Sequence, residues 1–318
     1  MSLRFDVRRS AERVAGIVSP TQQFGSQRRF SSSPNRLDSS VAVDQELLND
    51  AMTALGVEDI RELRPGGQKS VRLVRQGDTE MVMKVIALES GAPDALRRAQ
   101  REVELLQRIN NDHVVKVASD LVELDDPLRG VAWLEEYLDG EDLSDQLNAR
   151  WAWDQAQEMV RQVADGLSSL HGAKVVHRDL SANNVRCTNG GRYVLMDPGF
   201  ARHTLRSGLT VGGQPGTPGF LSPEHLAAYS GVPTPASDVF CLGVLVYLVL
   251  TNELPIPYNG DLSDYITRLA RVEVVDIEIY RTDLPADAVS LIRRMLHPQP
   301  ARRPRNGKRL IEALEAVQ

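Results

Sequence analysis

Twelve consecutive positions, Val239 to Leu250 with Gly243 among them, set the tightest limit on how this chain folds. The run falls short of the roughly 18 residues that a bilayer-spanning helix needs. A helix that is apolar on every side must instead lie inside protein, so the segment reads as a buried core helix. The rest of the chain can supply the surroundings: of 318 residues, 42% are apolar, 25% charged and 5% aromatic, the balance of a globular protein. That balance excludes collagen-like, disulfide-stapled and wholly disordered chains. The net charge of −6 offers no bulk positive field for nucleic acid or an anionic membrane, which leaves small molecules and proteins as partners. Cys187 and Cys241 are the only cysteines and have no metal-ligand spacing, so a reducing compartment, the cytoplasm, is expected.

The chain changes character along its length. Residues 1–40 carry seven arginines against Asp6, Glu12 and Asp38, and Ser31, Ser32 and Ser33 are consecutive. This basic stretch reads as a disordered tail over 1–42. A transit peptide, and with it an organelle, is the alternative, because Leu3, Val7, Val14 and Val18 fall near one helical face. Leu47, Leu48, Met52 and Leu55 then predict a short leading helix within 43–59, with Gly56 as its C-cap. Val71–Val74 and Met81–Leu88 flank Gly77-Asp78 and predict a hairpin. A helix is expected over Asp94–Ile109, and two strands over Val114–Val122 and Gly130–Glu136. Beyond Gly140 the pattern turns helical, with Ala156, Met159, Val160, Val163, Leu167 and Leu170 on one face of Asp154–His171.

Between the helical segments stands His177-Arg178-Asp179-Leu180-Ser181-Ala182-Asn183-Asn184, followed by Met196-Asp197-Pro198-Gly199. The first string resembles the protein-kinase catalytic loop H-R-D-L-x-x-x-N, and the second resembles its metal-binding D-F-G with Pro for Phe. Upstream, Met81-Val82-Met83-Lys84 is similar to the V-A-I-K strand, and Arg101-Glu102-Val103 to the helix segment that supplies its glutamate. Downstream, Gly216 to Glu224 resembles the peptide-binding loop ending in A-P-E. Ser237-Asp238-Val239 and Arg302-Arg303-Pro304 resemble the anchoring Asp and the late Arg, and Glu224 and Arg303 are expected to pair. The order and spacing of these pieces carry the resemblance to the protein kinase superfamily.

That resemblance implies an α+β, two-lobed fold: a small antiparallel β lobe with one helix over 60–136, and a helical lobe over 139–316. It implies ATP and Mg²⁺ between the lobes. Phosphoryl transfer passes through a charge-spread transition state, so the protein supplies cations, metal ligands and in-line positioning. Lys84, oriented by Glu102, would neutralise the α- and β-phosphates. Asn184 and Asp197 would hold metal, and Asp179 would accept the proton of a substrate hydroxyl. The resemblance places Leu63, Gly66, Gly67, Val71, Val82, Lys84, Glu136 and Leu138 around ATP. Thr217 aligns with a threonine that bonds near the catalytic Asp and tilts substrate choice toward Ser or Thr. Thr210 is the preferred phosphosite of a loop that also holds Thr204 and Ser207, and His177 is expected to be a packed supporting residue.

The departures from the family pattern bear on the same chemistry. The Gly-rich loop keeps only Gly66 and Gly67, with Lys69 aligned to an outer glycine, either as a cation over the phosphates or as a solvated loop residue. Ser181 stands where serine/threonine kinases place a Lys that touches the transferring phosphate. Pro198 should restrict flipping at its motif. Arg186 stands under the adenine position. Glu135 falls at the gatekeeper unless the hinge Glu136-Tyr137-Leu138 is displaced by one residue. The resulting expectation is a protein serine/threonine kinase, with a pseudokinase that binds nucleotide as scaffold or regulator as the alternative. A small-metabolite kinase conflicts with the peptide-binding segment and the Asp238 and Arg303 anchors.

Overall fold

The computed structural model describes residues 43–64, 69–88, 93–124, 128–198, 217–226 and 233–317. Gly66, Gly67, Gly216, the hydroxyls Thr204, Ser207 and Thr210, and the arginine-rich segment 1–42 lie outside them. The described residues belong to one compact unit, Ser40–Gln318.

Helix α1 (Gln45–Leu55) opens it. Asp44 caps its start by accepting from the Leu47 amide at 2.8 Å, and Gly56 closes it at φ +65°. Five strands follow: β1 (Glu58–Arg64), β2 (Lys69–Gln76), β3 (Thr79–Ala87), β4 (Val122–Leu124) and β5 (Gly130–Glu136). They form one antiparallel sheet in the order β1-β2-β3-β5-β4. The β2–β3 hairpin turns at Gly77, whose φ of +60° a side chain would oppose. Helix α2 (Pro93–Arg108) lies between β3 and β4 in the chain.

Because side chains alternate across a strand, β3 and β5 present two faces. Met83, Val85, Ala132 and Leu134 face α1 and pack with its Leu47, Leu48, Ala51 and Leu55. Ile86, Val131 and Trp133 pack on the other side with Ala99 and Val103 of α2. Both faces are apolar, so both need cover, and the two helices provide it.

One expectation is corrected. Val114–Val122 does not form a strand. Val114 and Val117 make isolated bridges to Leu195 and Glu135, and pairing with β5 begins only at Val122. A β-branched run favours extended backbone, but a strand also needs a continuous partner.

The second part is helical: α3 (Trp153–Gly172), α4 (Pro235–Thr251), α5 (Leu262–Arg271), α6 (Ala286–Met295) and α7 (Gly307–Leu314). Helix α4 contains the long apolar run, and every residue from Ala236 to Thr251 is buried. A three-stranded sheet, β6 (Gly140–Asp142), β7 (Val185–Thr188) and β8 (Tyr193–Leu195), floors the cleft between the two parts. Gly140 is required at its edge: φ is +146°, and a Cβ would stand 2.0 Å from the Cys187 carbonyl oxygen. Among the described residues, no helix is long and apolar enough to cross a membrane.

Candidate active site

Asp238, at the start of α4, organises the loop that carries His177, Arg178 and Asp179. Its carboxylate accepts from the amides of His177 (2.8 Å) and Arg178 (3.0 Å), and His171 Nε2 stands 2.9 Å away. Burial alone would raise the Asp238 pKa, but the His171 hydrogen bond and neighbouring charges hold it below the usual carboxylate value. His177 is buried against the Met196 carbonyl at 3.1 Å, and burial pushes its pKa down. It packs beneath the loop, with its ring turned to backbone.

Asp179 is held by two side chains from different segments. Thr217 Oγ1 donates to Oδ1 at 2.9 Å, and Asn184 Nδ2 donates to Oδ2 at 3.1 Å and to the Asp179 carbonyl at 2.7 Å. With its amide nitrogen so engaged, Asn184 Oδ1 is left buried without a hydrogen bond. A hard cation accepts an amide oxygen of this kind. Ser181, which aligns with a lysine in the resembled motif, is buried, and its Oγ also has no hydrogen-bond partner.

Asp197 follows β8 with φ +50°, a conformation that Asp tolerates better than most residues, and Pro198 follows it. Two ammonium groups meet on its Oδ1: Lys84 Nζ at 2.7 Å and Lys69 Nζ at 3.0 Å. The structure thus turns Lys69, at the head of β2, into the cleft, as its register two residues before Val71, the partner of Lys84, requires.

Lys84 is 4% exposed, and carboxylates surround it. Glu135 Oε1 is 2.6 Å away and Glu102 Oε1 4.0 Å away. Burial would lower the Lys84 pKa, but the charges of Asp197, Glu135 and Glu102 outweigh it and raise the pKa above the ordinary lysine value. Burial pushes Glu102 up to about 7 against the opposing pull of Lys84 and Lys69. The glutamate that the resemblance assigns to Lys84 therefore stands farther from it than Glu135 does. Glu135 turns toward Lys84, whereas the Glu136 carboxylate is engaged elsewhere: its Oε1 accepts from the Lys116 amide at 2.9 Å, and its Oε2 lies 3.6 Å from Arg192.

A cavity of about 270 Å³ lies above these groups, and Leu63, Val71, Val82, Lys84, Glu136 and Leu138 are among its lining residues. Arg186 also borders it but is held at the hinge, donating to the Leu138 carbonyl at 3.0 Å and to Asp142 at 3.0 Å. Beyond the cleft, Arg303 pairs with Glu224 at 2.8 Å.

The structure brings Asp179, Asn184, Asp197 and Lys84, all expected from the sequence, to one cleft, and adds Glu135 as a lysine partner and the reach of Lys69 to Asp197, neither of which was expected. The available signal was strand parity: Glu135 lies opposite Val82, on the face that carries Lys84.

A five-stranded antiparallel sheet with a lysine aimed at an acid across a cleft, above a helical part that carries an Asp-Asn pair, defines the two-lobed kinase class. The chain belongs to the protein kinase family: the protein kinase domain model matches residues 58–314. It is 33% identical to the serine/threonine-protein kinase drp72 of Corynebacterium efficiens, over 79% of this chain and 49% of that protein. It is 31% identical to PknA, a serine/threonine-protein kinase of Corynebacterium glutamicum, over 79% of this chain and 54% of that protein. With Pkn2 of Myxococcus xanthus, also a serine/threonine-protein kinase, identity is 30% over 81% of this chain and 32% of that protein. The chain spans about half the length or less of these relatives.

Proposed function

We propose that the chain transfers the γ-phosphate of ATP to serine or threonine hydroxyls of proteins. The observation that carries this reading is the fixing of Asp179 by Thr217 and Asn184 at the foot of a cleft whose wall bears Lys84 and Lys69. The proposed occupant of the cavity is ATP, its base toward Glu136 and Leu138 and its phosphates toward the two lysines. Asp179 takes the proton of the substrate hydroxyl as that oxygen bonds to the γ-phosphorus and the bond from phosphorus to the bridging oxygen of ADP breaks. Lys84 and Lys69 offset the charge spread over the phosphate oxygens.

Asn184 and Asp197 fit a hard divalent cation, since the amide oxygen is buried and without a hydrogen bond. Mg²⁺ held there would supply further neutralisation of phosphate charge. The names of the relatives support a serine/threonine substrate class. We place the activity in the cytoplasm, where two unpaired thiols persist. Thr210 remains the proposed phosphosite, and ATP-dependent activity is assigned to residues 60–316.

A nucleotide-binding pseudokinase is the second reading, and Ser181 is the observation that favours it, since a neutral side chain stands at a position that carries a cation in the resembled motif. The test is labelled-phosphate transfer by the purified chain with Mg·ATP, alone and with a generic basic protein, beside Asp179→Asn. Label in the wild type that vanishes in the variant supports the kinase. Bound ATP without transfer moves the reading to the scaffold.

A further inference from the structure

We infer that Glu135, rather than Glu102, is the residue that positions Lys84 for the phosphates, so that the lysine is held from within the sheet. The inference rests on the kinase reading above and names a positioning residue for it.

Three observations converge. Glu135 Oε1 lies 2.6 Å from Lys84 Nζ, a close ion pair, whereas the Glu102 carboxylate stops at 4.0 Å. The same Glu135 oxygen accepts from Trp133 Nε1 at 2.9 Å, and the Lys84 ammonium sits 5.8 Å from the centre of the Trp133 ring. Glu102 is 1% exposed, and neither of its carboxylate oxygens has a hydrogen bond.

The backbone explains why this arrangement is rigid. Lys84 pairs with Trp133 and Val82 pairs with Glu135 in the β3–β5 ladder, so lysine, indole and carboxylate sit on one face of adjacent strands. Their geometry is set by strand register. A glutamate on α2 depends instead on where that helix docks. Glu135 therefore holds the ammonium through the strand ladder, on the face that Ala99 and Val103 of α2 cover at Trp133.

The test is calorimetric titration of Mg·ATP and of adenosine into the full chain as wild type, Glu135→Gln and Glu102→Gln, and into Lys84→Met with and without Glu135→Gln. Loss of one charge-assisted contact predicts that Glu135→Gln weakens Mg·ATP binding about tenfold, more than Glu102→Gln does. The loss should be absent for adenosine, which has no phosphates to meet Lys84, and absent when Lys84 is already Met. The assignment is overturned if Glu102→Gln weakens Mg·ATP as much or more, or if Glu135→Gln weakens adenosine and Mg·ATP alike. Should Glu135→Gln not fold, a tenfold loss in Glu102→Gln alone overturns it. A wild-type chain that binds no Mg·ATP overturns the kinase reading itself.

Discussion

In the proposed reaction the carboxylate that takes the proton has to be aimed, and Asp179 is held through both oxygens, by Thr217 on one side and Asn184 on the other. Replacing Asp179 with Asn keeps the shape and removes the base, so kcat should fall by about 10²–10⁴ with little change in melting temperature. Thr217→Val frees one oxygen and should cost less. The neighbouring gap at Ser181 gives a gain-of-function test. If Lys69 supplies the missing cation, Lys69→Met should lose roughly 10²-fold in kcat. Adding Ser181→Lys to that variant should recover part of it. A double variant no faster than Lys69→Met would show that the two positions do not serve the same phosphate. Glu102 gives a stability test with a definite sign. Its pKa is raised from 4.5 to about 7 by burial, so the folded chain holds a proton that the unfolded chain has released. The stability contributed by that proton is complete below pH 4.5 and is lost as pH rises to about 7. The melting temperature of Glu102→Gln minus that of the wild type should therefore increase across this window and level off above it. Parallel melting curves across the window would mean that the carboxyl is ionised throughout.

At the scale of elements, α1 is the second cover of a sheet whose two faces are both apolar. Leu47 is 2% exposed and sits where Gly130 lets the helix approach, since a Cβ at Gly130 would lie 3.0 Å from the Leu47 methyls. Leu47→Ala should destabilise the chain by about 2–5 kcal/mol, read by urea unfolding. A loss below about 1 kcal/mol, the range of an exposed position, would mean that the helix is dispensable to the sheet. Periodicity made α1, α3 and α4 legible, because their apolar positions repeat at helical spacing or fill the segment entirely. The β2–β3 hairpin was legible from Gly77-Asp78. Strand β1 was not: Glu58-Asp59-Ile60-Arg61-Glu62-Leu63-Arg64 is mostly charged and lies at the edge of the sheet, where packing imposes little pattern. Val114–Val122 misled in the opposite sense, for its β-branched residues bridge to separate partners, Val114 to Leu195 and Val117 to Glu135.

At the scale of the molecule, the candidate site was legible as far as its motifs are local. Asp179, Asn184 and Asp197 fall in two short strings, whereas the pairing of Lys69 with Asp197 spans 128 residues and exists only once the sheet stands over the cleft. Arg303 shows the same dependence in the helical part. Its guanidinium reaches Glu224 at 2.8 Å and the carbonyls of Ala236, His297 and Pro298 at 3.1, 2.7 and 2.9 Å, and lies 4.7 Å over the Phe240 ring. One side chain thus ties the segment that carries Thr217 to α4 and to the chain between α6 and α7. Burial opposes ionisation of Glu224, but the hydrogen bond and charge of Arg303 outweigh it and hold its pKa down. Arg303→Met would strand that carboxylate and several carbonyls, a loss of about 3–5 kcal/mol. Because most of that cost is an unpaired buried charge, Arg303→Met with Glu224→Gln should be more stable than Arg303→Met alone. Chemical unfolding of the three chains distinguishes the cases. If the double variant is the less stable, the losses simply add, and Glu224 stabilises the fold through contacts other than Arg303.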